Sequence, residues 1–359
     1  MRAAYQQKLL DLEGLGCKIR ACVPESWIEE GQAHVLEVLP SARHLLHPLS
    51  IRFNGRFHLH YYLGLRNEIE QFQPDVVFID EEPYNLATFL AAREAARLDI
   101  PAVFFTWQNL NHRLPLPFRL MQKYVFNRCK VAVAGTSTAE NVLRARGFRR
   151  PIVVTPQFGV DTEAYSPGNS PDGRPFTVGY IGRLVPSKGV HVLIDAMSGL
   201  ENEGWRLLIA GYGPGKETLV QAATEAGLAE RCQFEASIRS TDVPAWLRQL
   251  DVAVLPSITA PRWKEQFGRT LVEAMSCGVA VVGSDSGEIP SVVGDAGLIF
   301  PENDAGALYR CLRALADQPD LRRDFAERGR RRVIENFSNL EIARKTYRAL
   351  EMALGQQRG

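Results

Sequence analysis

The sequence lacks long hydrophobic runs, paired cysteines and a large excess of charge of either sign. Its longest apolar stretches, such as residues 131–134 and 252–255, are far shorter than the roughly 20 residues that a membrane-spanning helix needs. The six cysteines form no Cys-x-x-Cys pair, so buried reduced thiols are expected rather than a disulfide framework or a zinc site. Residues 1–8 show no apolar core of a signal peptide. We therefore expect a cytoplasmic protein.

A formal net charge of +1 argues against nucleic acid as a partner, but the basic residues are unevenly distributed. Residues 113–150 contain nine lysines and arginines and one acidic residue, Glu140. One interpretation is a solvated basic surface. The other is a contact for an anionic partner, such as a phosphorylated substrate or the acidic inner face of a membrane.

Short apolar runs rich in β-branched residues alternate with segments of helical periodicity. The predicted strands form two series, 18–23, 76–79, 102–105, 131–134 and 152–154, then 177–181, 206–210, 232–234, 252–255, 280–282 and 297–300. Helices are predicted at 84–98, 190–197 and 218–226. Continuous apolar runs indicate strands buried on both faces, hence parallel sheets with helices on either side. Two series of this kind predict two doubly wound α/β domains.

The boundary between the two series is a stretch of turn-forming residues. Residues 165–175 contain three prolines and two glycines, a composition typical of a linker. The predicted domains are 1–160 and 161–337, followed by a helix at 338–359 that packs back toward the first domain. The chain begins in a predicted helix, 3–15, where a Rossmann-like domain normally opens with a strand and a glycine turn. Either the coding start lies further upstream or this domain lacks its first strand.

The most informative segment follows the predicted strand 252–255 and runs from Glu265 to Glu273. A helix is predicted to begin near Gly268, so its first amides, at Arg269 and Thr270, would open at the C-terminal edge of a parallel sheet. That edge is where α/β folds bind ligands, and a helix N-terminus suits phosphate. Glu265 is placed to accept hydrogen bonds from sugar hydroxyls and Glu273 from a ribose diol. The alternative for Glu273 is an ordinary solvated helix residue.

Three glycine-containing turns follow other predicted strands. After 177–181, Arg183 and Lys188 stand in a turn between Gly182 and Gly189, where two cations can bind a diphosphate; the alternative is a pair of surface cations. The second turn, Gly211-Tyr-Gly213-Pro-Gly215, differs from the Gly-x-Gly-x-x-Gly dinucleotide fingerprint, which counts against a dehydrogenase. The third is Gly287-Glu-Ile-Pro290.

Taken together, these motifs resemble glycosyltransferase family four, a large family of retaining enzymes with the GT-B fold. Over residues 175–335 the resemblance rests on the turn from Gly182 to Gly189, the Gly211 turn, the Glu265-x7-Glu273 spacing and the Gly287 turn, which has Glu where Gly is commoner. In the N-terminal half it rests on Asp80-Glu-Glu-Pro83, Thr106-Trp-Gln-Asn109 and Pro156-Gln-Phe-Gly-Val-Asp161.

The resemblance implies two Rossmann-like, doubly wound parallel-sheet domains facing a cleft. It implies transfer of a sugar, with retention of configuration, from a nucleotide-diphosphate sugar to a sugar or lipid-linked acceptor in polysaccharide or glycoconjugate biosynthesis. Arg183 and Lys188 would bind the diphosphate in place of a metal ion, Glu265 the donor sugar and Glu273 the ribose. No cofactor is expected. The other implied donor-site residues are Gly182, Gly211, Gly213, Phe267, Gly268, Arg269 and Thr270.

The predicted acceptor side lies at two strand ends of the first domain. Glu81 and Glu82 follow residues 76–79, and Trp107, Gln108 and Asn109 follow residues 102–105. We hypothesise that Glu82, with Glu81 second, contacts an acceptor hydroxyl, and that Trp107 and Asn109 shape its pocket, since an aromatic face can stack on a sugar ring. Alternatively, Glu81 caps the following helix and Trp107 belongs to the core.

Two departures from the family leave other functions open. Gln108 stands where many relatives carry a histidine, and the N-terminal glycine loop that closes over the donor phosphate is missing. The alternatives are a sugar-nucleotide epimerase or phosphorylase of the same fold, and a sugar-nucleotide-binding protein without catalytic activity.

Overall fold

The computed structural model describes residues 3–29, 31–168, 173–200 and 204–355. The chain forms two compact units: the first consists of residues 1–159 together with 339–359, and the second of residues 160–338. Each unit is an α/β structure with a parallel sheet at its centre.

The first unit opens with a 3-10 turn and alternates short strands with helices. The 3-10 segments are Ala3–Gln6 and Pro40–Leu45. The strands are β1 (Ala21–Pro24), β2 (Ser26–Glu29), β3 (Gln32–Val35), β4 (Leu46–Leu49), β5 (Ile51–Arg52), β6 (Tyr61–Tyr62), β7 (Val77–Ile79), β8 (Ala102–Thr106), β9 (Val131–Ala134) and β10 (Ile152–Val154). The helices are α1 (Gln7–Gly14), α2 (Leu65–Phe72), α3 (Leu86–Arg97), α4 (Leu116–Arg128) and α5 (Ser137–Ala145).

The second unit alternates longer strands with helices. Its strands are β11 (Phe176–Ile181), β12 (Trp205–Ala210), β13 (Cys232–Glu235), β14 (Val252–Leu255), β15 (Ala280–Ser284) and β16 (Leu298–Phe300). Its helices are α6 (Val190–Ser198), α7 (Lys216–Glu225), α8 (Val243–Leu247), α9 (Arg269–Ser276), α10 (Ile289–Val293), α11 (Ala305–Asp317) and α12 (Pro319–Asn336), with a 3-10 turn at Pro186–Lys188. The final helix, α13 (Asn339–Ala353), belongs to the first unit.

A four-stranded parallel sheet, in the order β10-β9-β8-β7, forms the centre of the first unit. Successive residues of a strand point to opposite faces, and each face has its own apolar cluster. Phe104 packs with Val125 and Phe148 on one face, while Phe105 packs with Ala349 of α13 on the other. Both faces are therefore buried, as the continuous apolar runs predicted.

The segment before this sheet differs from the sequence prediction. The strand predicted at 18–23 is β1, which starts at Ala21 and pairs in parallel with β4 instead of joining the four-stranded sheet. The sequence does not predict the antiparallel pairs β2-β3 and β5-β6, because these strands have two to four residues, none of them buried, and so lack a continuous apolar signal. The predicted helix 3–15 is divided into a 3-10 turn and α1.

The second unit contains one six-stranded parallel sheet in the order β13-β12-β11-β14-β15-β16. Counted along the chain within this unit, the order is 3-2-1-4-5-6, which is the Rossmann arrangement. The strand positions predicted in the second series are confirmed to within two residues at each end. Central strands such as β14 are buried along their whole length, which explains why the sequence signal is strong here.

Gly189, at the start of α6, allows a close contact between two turns of this sheet. Its φ is +65°, and a Cβ built there would lie 1.9 Å from the carbonyl oxygen of Pro256. Gly227 has a similar φ of +73°, but its Cβ would have no neighbour within 4 Å. An alanine at Gly227 would therefore cost only the free energy of left-handed backbone, whereas an alanine at Gly189 would also cost the free energy of a steric clash.

We expect Gly227→Ala to lower the free energy of unfolding of the second unit by about 1 kcal/mol, the usual cost of left-handed backbone. Gly189→Ala should lower it by about 3 kcal/mol or more, since a backbone carbonyl must also move. Chemical denaturation of both variants measures the difference. Equal losses would show that the Gly189 turn is not closely packed.

Candidate functional site

The candidate site of the second unit lies where the strand order reverses. Strands β11 and β14 are neighbours, and their following segments lead to helices α6 and α9. Ligands of open α/β sheets bind beyond the carboxyl ends of the strands at such a reversal. The segment after β11 carries Arg183 and Lys188, and the segment after β14 carries Glu265. Both predicted motifs are therefore positioned by the same feature of the topology.

Lys188 and Glu265 form an ion pair across this reversal. Lys188 Nζ donates to Glu265 Oε2 at 2.5 Å, and Ser257 Oγ donates to the same oxygen at 2.7 Å. Glu265 is only 9% exposed. Donors of this kind offset the cost of removing a carboxylate from water. Within the described residues no hydrogen bond engages Oε1, the second carboxylate oxygen.

An indole ring completes the surroundings of the lysine. Lys188 Nζ lies 4.8 Å from the centre of the Trp263 ring. Reciprocal backbone hydrogen bonds between Ala260 and Trp263, of 2.7 and 3.1 Å, hold Trp263 in a tight turn. The lysine thus lies between a carboxylate and an aromatic face.

The glycine turns are packed backbone to backbone. A Cβ at Gly211 would lie 1.8 Å from the carbonyl oxygen of Gly182, and Gly213 approaches the carbonyl of Leu184 in the same way. The amides of Gly182 and Leu184 donate to carbonyls of the facing β12 segment at 3.0 and 2.7 Å. Gly287 makes a third close approach, to the carbonyl of Glu265. These turns form a rigid backbone framework around the ion pair.

Helix α9 presents its N-terminus beside the framework. Gly268, with a φ of +72°, precedes it, and Thr270 Oγ1 donates at 3.3 Å to the carbonyl of Ile181 at the end of β11. The first amides of a helix lack intrahelical acceptors, so those of Arg269 and Thr270 are suited to an anion. Phe267, just before the cap, packs against Phe337 with ring centres 5.6 Å apart.

Glu273 is not a solvated helix residue, so that alternative is wrong. Its side chain is 12% exposed and accepts a hydrogen bond from Arg269 Nε at 2.7 Å. Burial raises the pKa of Glu273, while the charge and hydrogen bond of Arg269 and a hydrogen bond from Tyr165 oppose this shift. The exposed Arg183 lies on the turn after β11, and its carbonyl accepts a hydrogen bond from Tyr180 Oη at 2.8 Å.

In the first unit, Glu82 is held by the end of β8. Thr106 Oγ1 donates to Glu82 Oε2 at 2.6 Å and the amide of Trp107 donates to Oε1 at 2.8 Å. The amide of Gln108 donates to Thr106 Oγ1 at 3.1 Å, which extends the chain of hydrogen bonds. Burial raises the pKa of Glu82 to about 7, although both donors favour the charged form.

Glu81 belongs to a separate polar cluster. It forms hydrogen bonds of 2.9 Å with His60 Nε2 and 3.1 Å with Asn85 Nδ2, and His58 Nδ1 binds Asn85 Oδ1 at 2.9 Å. Burial lowers the pKa of His60, but the hydrogen bond and charge of Glu81, together with hydrogen bonds to the backbone of Phe57 and Arg56, outweigh burial, so the net pKa is raised. Glu81 does not cap α3 directly, because the residue before that helix is Asn85.

Trp107 packs closely inside the unit. A Cβ at Gly135 would lie 2.2 Å from Trp107 Cε3, and the Phe105 ring lies 5.4 Å away, centre to centre. The indole nitrogen donates to Gln157 Oε1 at 2.9 Å. The core interpretation of Trp107 is thus the one these contacts favour. Asn109 is also buried, and its Nδ2 has no hydrogen-bond partner within the described residues.

The predicted set omits three residues that complete these sites, Ser257, Trp263 and Lys8. Ser257 and Trp263 lie in the segment between β14 and Glu265. Their position in the loop that carries Glu265 could have marked both as candidate site residues. Lys8 contacts Asp80 at 4.0 Å and donates to the carbonyl of Gln157 at 3.3 Å. No local pattern predicts these contacts, because 72 and 149 residues separate the partners along the chain.

Two kinds of feature are absent from the part of the chain that the structure describes. No group of three or more His, Cys, Asp or Glu side chains in that part of the chain is arranged to hold a metal ion. Nor is any described helix both long and apolar enough to span a membrane.

The pKa of Glu82 gives a pH-dependent prediction. A carboxyl whose pKa is raised from 4.5 to about 7 on folding stabilises the fold below pH 4.5, and this contribution disappears as the pH rises through 7. We expect the wild type to lose about 2 kcal/mol of unfolding free energy relative to Glu82→Gln between pH 5 and pH 8. Denaturation at both pH values measures this change. Parallel profiles would contradict the raised pKa.

Two family models match the chain. One, described as glycosyl transferases group 1, matches residues 161–332, and the other, glycosyltransferase family 4, matches residues 11–164. A putative colanic acid biosynthesis glycosyltransferase, WcaL of Escherichia coli (strain K12), is 31% identical over 210 residues, 56% of this chain and 52% of its own length. A 2-deoxystreptamine N-acetyl-D-glucosaminyltransferase of Streptomyces fradiae is 31% identical over 223 residues, covering 57% and 50%. The chain thus spans about half the length of these curated relatives.

Among solved structures, Anabaena Alr3699/HepE in complex with UDP and glucose is similar over 98% of both chains. The TM-score is 0.70 at 18% sequence identity, which supports the fold alone. The expected GT-B fold of two parallel-sheet domains is confirmed. Because the two family models together extend from residue 11 to residue 332, the chain belongs to the glycosyltransferases of family 4, with a group 1 domain as its second unit.

Proposed function

We propose that the chain transfers a sugar from a nucleoside-diphosphate sugar to an acceptor hydroxyl, with retention of anomeric configuration. The observation that carries this proposal is the Lys188–Glu265 pair beside the N-terminus of α9 at the strand reversal. A cation and a set of helix amides suit a diphosphate, and a neighbouring carboxylate suits sugar hydroxyls. The UDP complexes of structurally similar proteins are consistent with a nucleotide at this type of site.

The donor is bound by three groups with different tasks. Arg183, Lys188 and the amides of Arg269 and Thr270 take the diphosphate. Glu265 accepts hydrogen bonds from the sugar through Oε1, since Oε2 already binds Lys188 and Ser257. Glu273, with limited exposure and a partner in Arg269, accepts from the ribose diol.

The transfer proceeds on one face of the sugar. The acceptor oxygen forms a bond to the anomeric carbon while the bond from that carbon to the diphosphate oxygen breaks, and the acceptor proton passes to the leaving diphosphate. Negative charge grows on the diphosphate as the bond breaks, so preorganised cations and amides stabilise the transition state more than the ground state. We propose that Arg183 and Lys188 provide this charge and that the reaction needs no metal ion or cofactor.

The acceptor is assigned to the first unit. Glu81, Glu82, Gln108 and Asn109 lie at or near the carboxyl ends of parallel strands, and Glu82 has a pKa near neutrality, which suits contact with a hydroxyl. Trp107 takes part by shaping the strand end.

The proposed acceptor class is a sugar or a lipid-linked sugar in polysaccharide or glycoconjugate biosynthesis. A relative named for colanic acid biosynthesis supports the polysaccharide part of this class. A membrane would present a lipid-linked acceptor, and the basic segment 113–150 is the proposed contact.

The proposed function predicts that nucleoside diphosphates stabilise the protein through Arg183 and Lys188. A saturating nucleoside diphosphate, at 100 times its Kd, should add about 2.7 kcal/mol of stability. Arg183→Ala and Lys188→Ala should each lower turnover by about 10²–10³, the scale for loss of one preorganised charge stabiliser. Thermal-shift and product assays with a panel of nucleoside-diphosphate sugars measure both effects.

The exposed Arg239, which pairs only locally with Asp242, provides the control, and Arg239→Ala should behave as the wild type. Release of nucleoside diphosphate only in the presence of an acceptor separates transfer from epimerase or phosphorylase activity. If no nucleoside diphosphate shifts the melting temperature, or if both variants bind it normally, the proposed donor site is wrong.

Changing Glu265 to Gln and changing Glu273 to Gln should affect different steps, one the transfer of the sugar and the other the binding of the nucleotide. Glu265→Gln should reduce transfer and leave binding of the bare nucleoside diphosphate nearly unchanged, because its contact is with the sugar. Glu273→Gln should weaken binding of both by about 1–3 kcal/mol, the cost of one charged hydrogen bond. Titration calorimetry with a nucleoside diphosphate and with its sugar conjugate measures the difference.

Glu217, an exposed glutamate in the first turn of α7, is the matched control for these two variants. Its change to Gln should alter neither binding nor transfer. Equal effects of Glu265→Gln and Glu273→Gln on the bare nucleotide would reject the division of roles.

A further inference from the structure

Trp263 lies beside a cation of the candidate donor site, and the proposed function gives it no task. Its indole ring is half-buried in the loop between β14 and Glu265. Lys188 Nζ lies 4.8 Å from the ring centre, within the roughly 6 Å at which an aromatic face attracts an ammonium group. The side chain of Lys188 is 19% exposed, so little water competes with the ring for its charge.

Backbone contacts hold the ring and the lysine relative to each other. The amide of Ile258 donates to the carbonyl of Ser187 at 2.8 Å, which joins the loop of Trp263 to the turn of Lys188. Two backbone hydrogen bonds between Ala260 and Trp263 close the turn that carries the indole. These bonds do not involve the indole itself. The ring can therefore be replaced while the contacts that hold its loop are kept.

The neighbours of the Lys188 ammonium group limit where its three N–H donors can point. One of them donates to Glu265 Oε2, and Ser257 Oγ also donates to that oxygen, so both of its lone pairs are used. No other hydrogen bond engages Lys188 Nζ within the described part of the chain. The Trp263 ring covers another side of the ammonium group. A ligand can therefore approach the group from the remaining side.

We propose that Trp263 is a positioning residue, which holds the ammonium group of Lys188 so that one N–H points at the diphosphate of the donor. Lysine has a flexible four-carbon stem, and a single hydrogen bond at its end leaves that stem several conformations. The aromatic face supplies a second attachment for the same charge. A cation that is already in place stabilises the leaving diphosphate without a cost of reorganisation. This inference rests on the proposed function, because Lys188 must bind the diphosphate.

The first test is a double-mutant cycle on nucleotide binding. UDP, GDP and ADP are the probes, and the one that binds most tightly is titrated by calorimetry into the full chain. Trp263→Leu should weaken binding about fivefold in the wild-type background, because the lysine is no longer held. In the Lys188→Gln background the same change should weaken it less than about twofold, since the group through which the ring acts is absent. Melting curves check that each variant folds.

The second test separates turnover from donor binding. UDP-glucose, UDP-N-acetylglucosamine, GDP-mannose and ADP-glucose are the donor panel. Trp263→Leu should lower kcat about tenfold, which corresponds to about 1.4 kcal/mol of activation free energy, and leave the KM for the donor within about threefold. Trp263→Phe keeps an aromatic face for the cation, so its kcat should stay within about threefold of the wild type.

Graded fluorination of the ring gives a readout that a purely structural role would not change. Fluorine withdraws electron density from the indole face and changes its size little, so it weakens the attraction for a cation. Nucleotide affinity should fall stepwise from tryptophan to its monofluoro, difluoro and trifluoro forms. The chain has five tryptophans, so the same labelling of Trp263→Phe is the control, and it should show no such trend.

A second cation-aromatic pair of the same unit provides the matched control variant. Arg231 lies 5.2 Å from the centre of the Trp205 ring, next to the amino end of β13 and therefore at the edge of the sheet opposite to the donor site. Arg231→Gln should leave nucleotide affinity and kcat unchanged.

Three results would overturn the inference. Equal losses from Trp263→Leu in both backgrounds would show that the ring acts on the ligand directly, as by stacking on the donor sugar. Wild-type affinity and kcat in Trp263→Leu would show that Lys188 needs no positioning. A flat response to fluorination would show that only the volume of the ring matters. If Lys188→Gln itself leaves nucleotide binding unchanged, the proposed donor site fails, whereas an effect of Lys188→Gln without one of Trp263→Leu rejects the role of Trp263 alone.

Discussion

Close backbone packing at the strand reversal of the second unit is the constraint on which the candidate donor site depends. The turn after β11 meets the turn after β12 at Gly211 and the segment after β14 at Gly189, and side chains at either glycine would collide with a carbonyl oxygen less than 2 Å away. Because the turns touch through their backbones, the segment carrying Lys188 is fixed relative to the one carrying Glu265. The hydrogen bond from the Ile258 amide to the Ser187 carbonyl, 2.8 Å long, directly joins the two segments. The ion pair is thus a consequence of backbone geometry.

The same ion pair explains how a nearly buried carboxylate can serve a polar ligand. Removing a carboxylate from water is costly, and one hydroxyl would compensate for it only in part. Lys188 and Ser257 both bind Oε2 of Glu265, so the charge is stabilised while Oε1 can accept from a ligand. The ammonium group of Lys188 has three N–H donors, so it can bind a diphosphate and keep its hydrogen bond to Glu265. Because the two residues are in contact, we do not expect the effects of changing each of them to be additive. Lys188→Ala should for this reason also disturb Glu265, which makes the melting curve of that variant a necessary control.

The second unit was predictable from sequence because its strands are buried on both faces and its turns require particular residues. Strand β14 and the start of α6 lie where the apolar run and Gly189 place them. The structure of the first unit was less predictable from sequence. The exposed hairpin β2-β3 has no apolar run, and the partners Lys8 and Asp80 are separated by 72 residues that include strands β1 to β7 and helix α2. For Glu273 the sequence left two interpretations open, and the 12% exposure of its side chain excluded the solvated one. The sequence identifies residues whose side chains can bind a ligand. Burial and hydrogen-bond partners decide which of those side chains instead stabilise the fold.

The pairing of basic residues with nearby acidic residues, more than the total number of basic residues, decides which surface of this protein has a positive electrostatic potential. Helix α12 is rich in arginine, but Arg323 and Arg328 pair with acids three or four residues earlier, so their charges are neutralised nearby. Helix α4 contains no acid to form such pairs. At a Debye length of about 8 Å in physiological salt, a neutralised pair contributes little to the potential at a distance, while unpaired neighbouring cations add together. A net charge of +1 for the whole chain is therefore compatible with a local surplus of positive charge on helix α4.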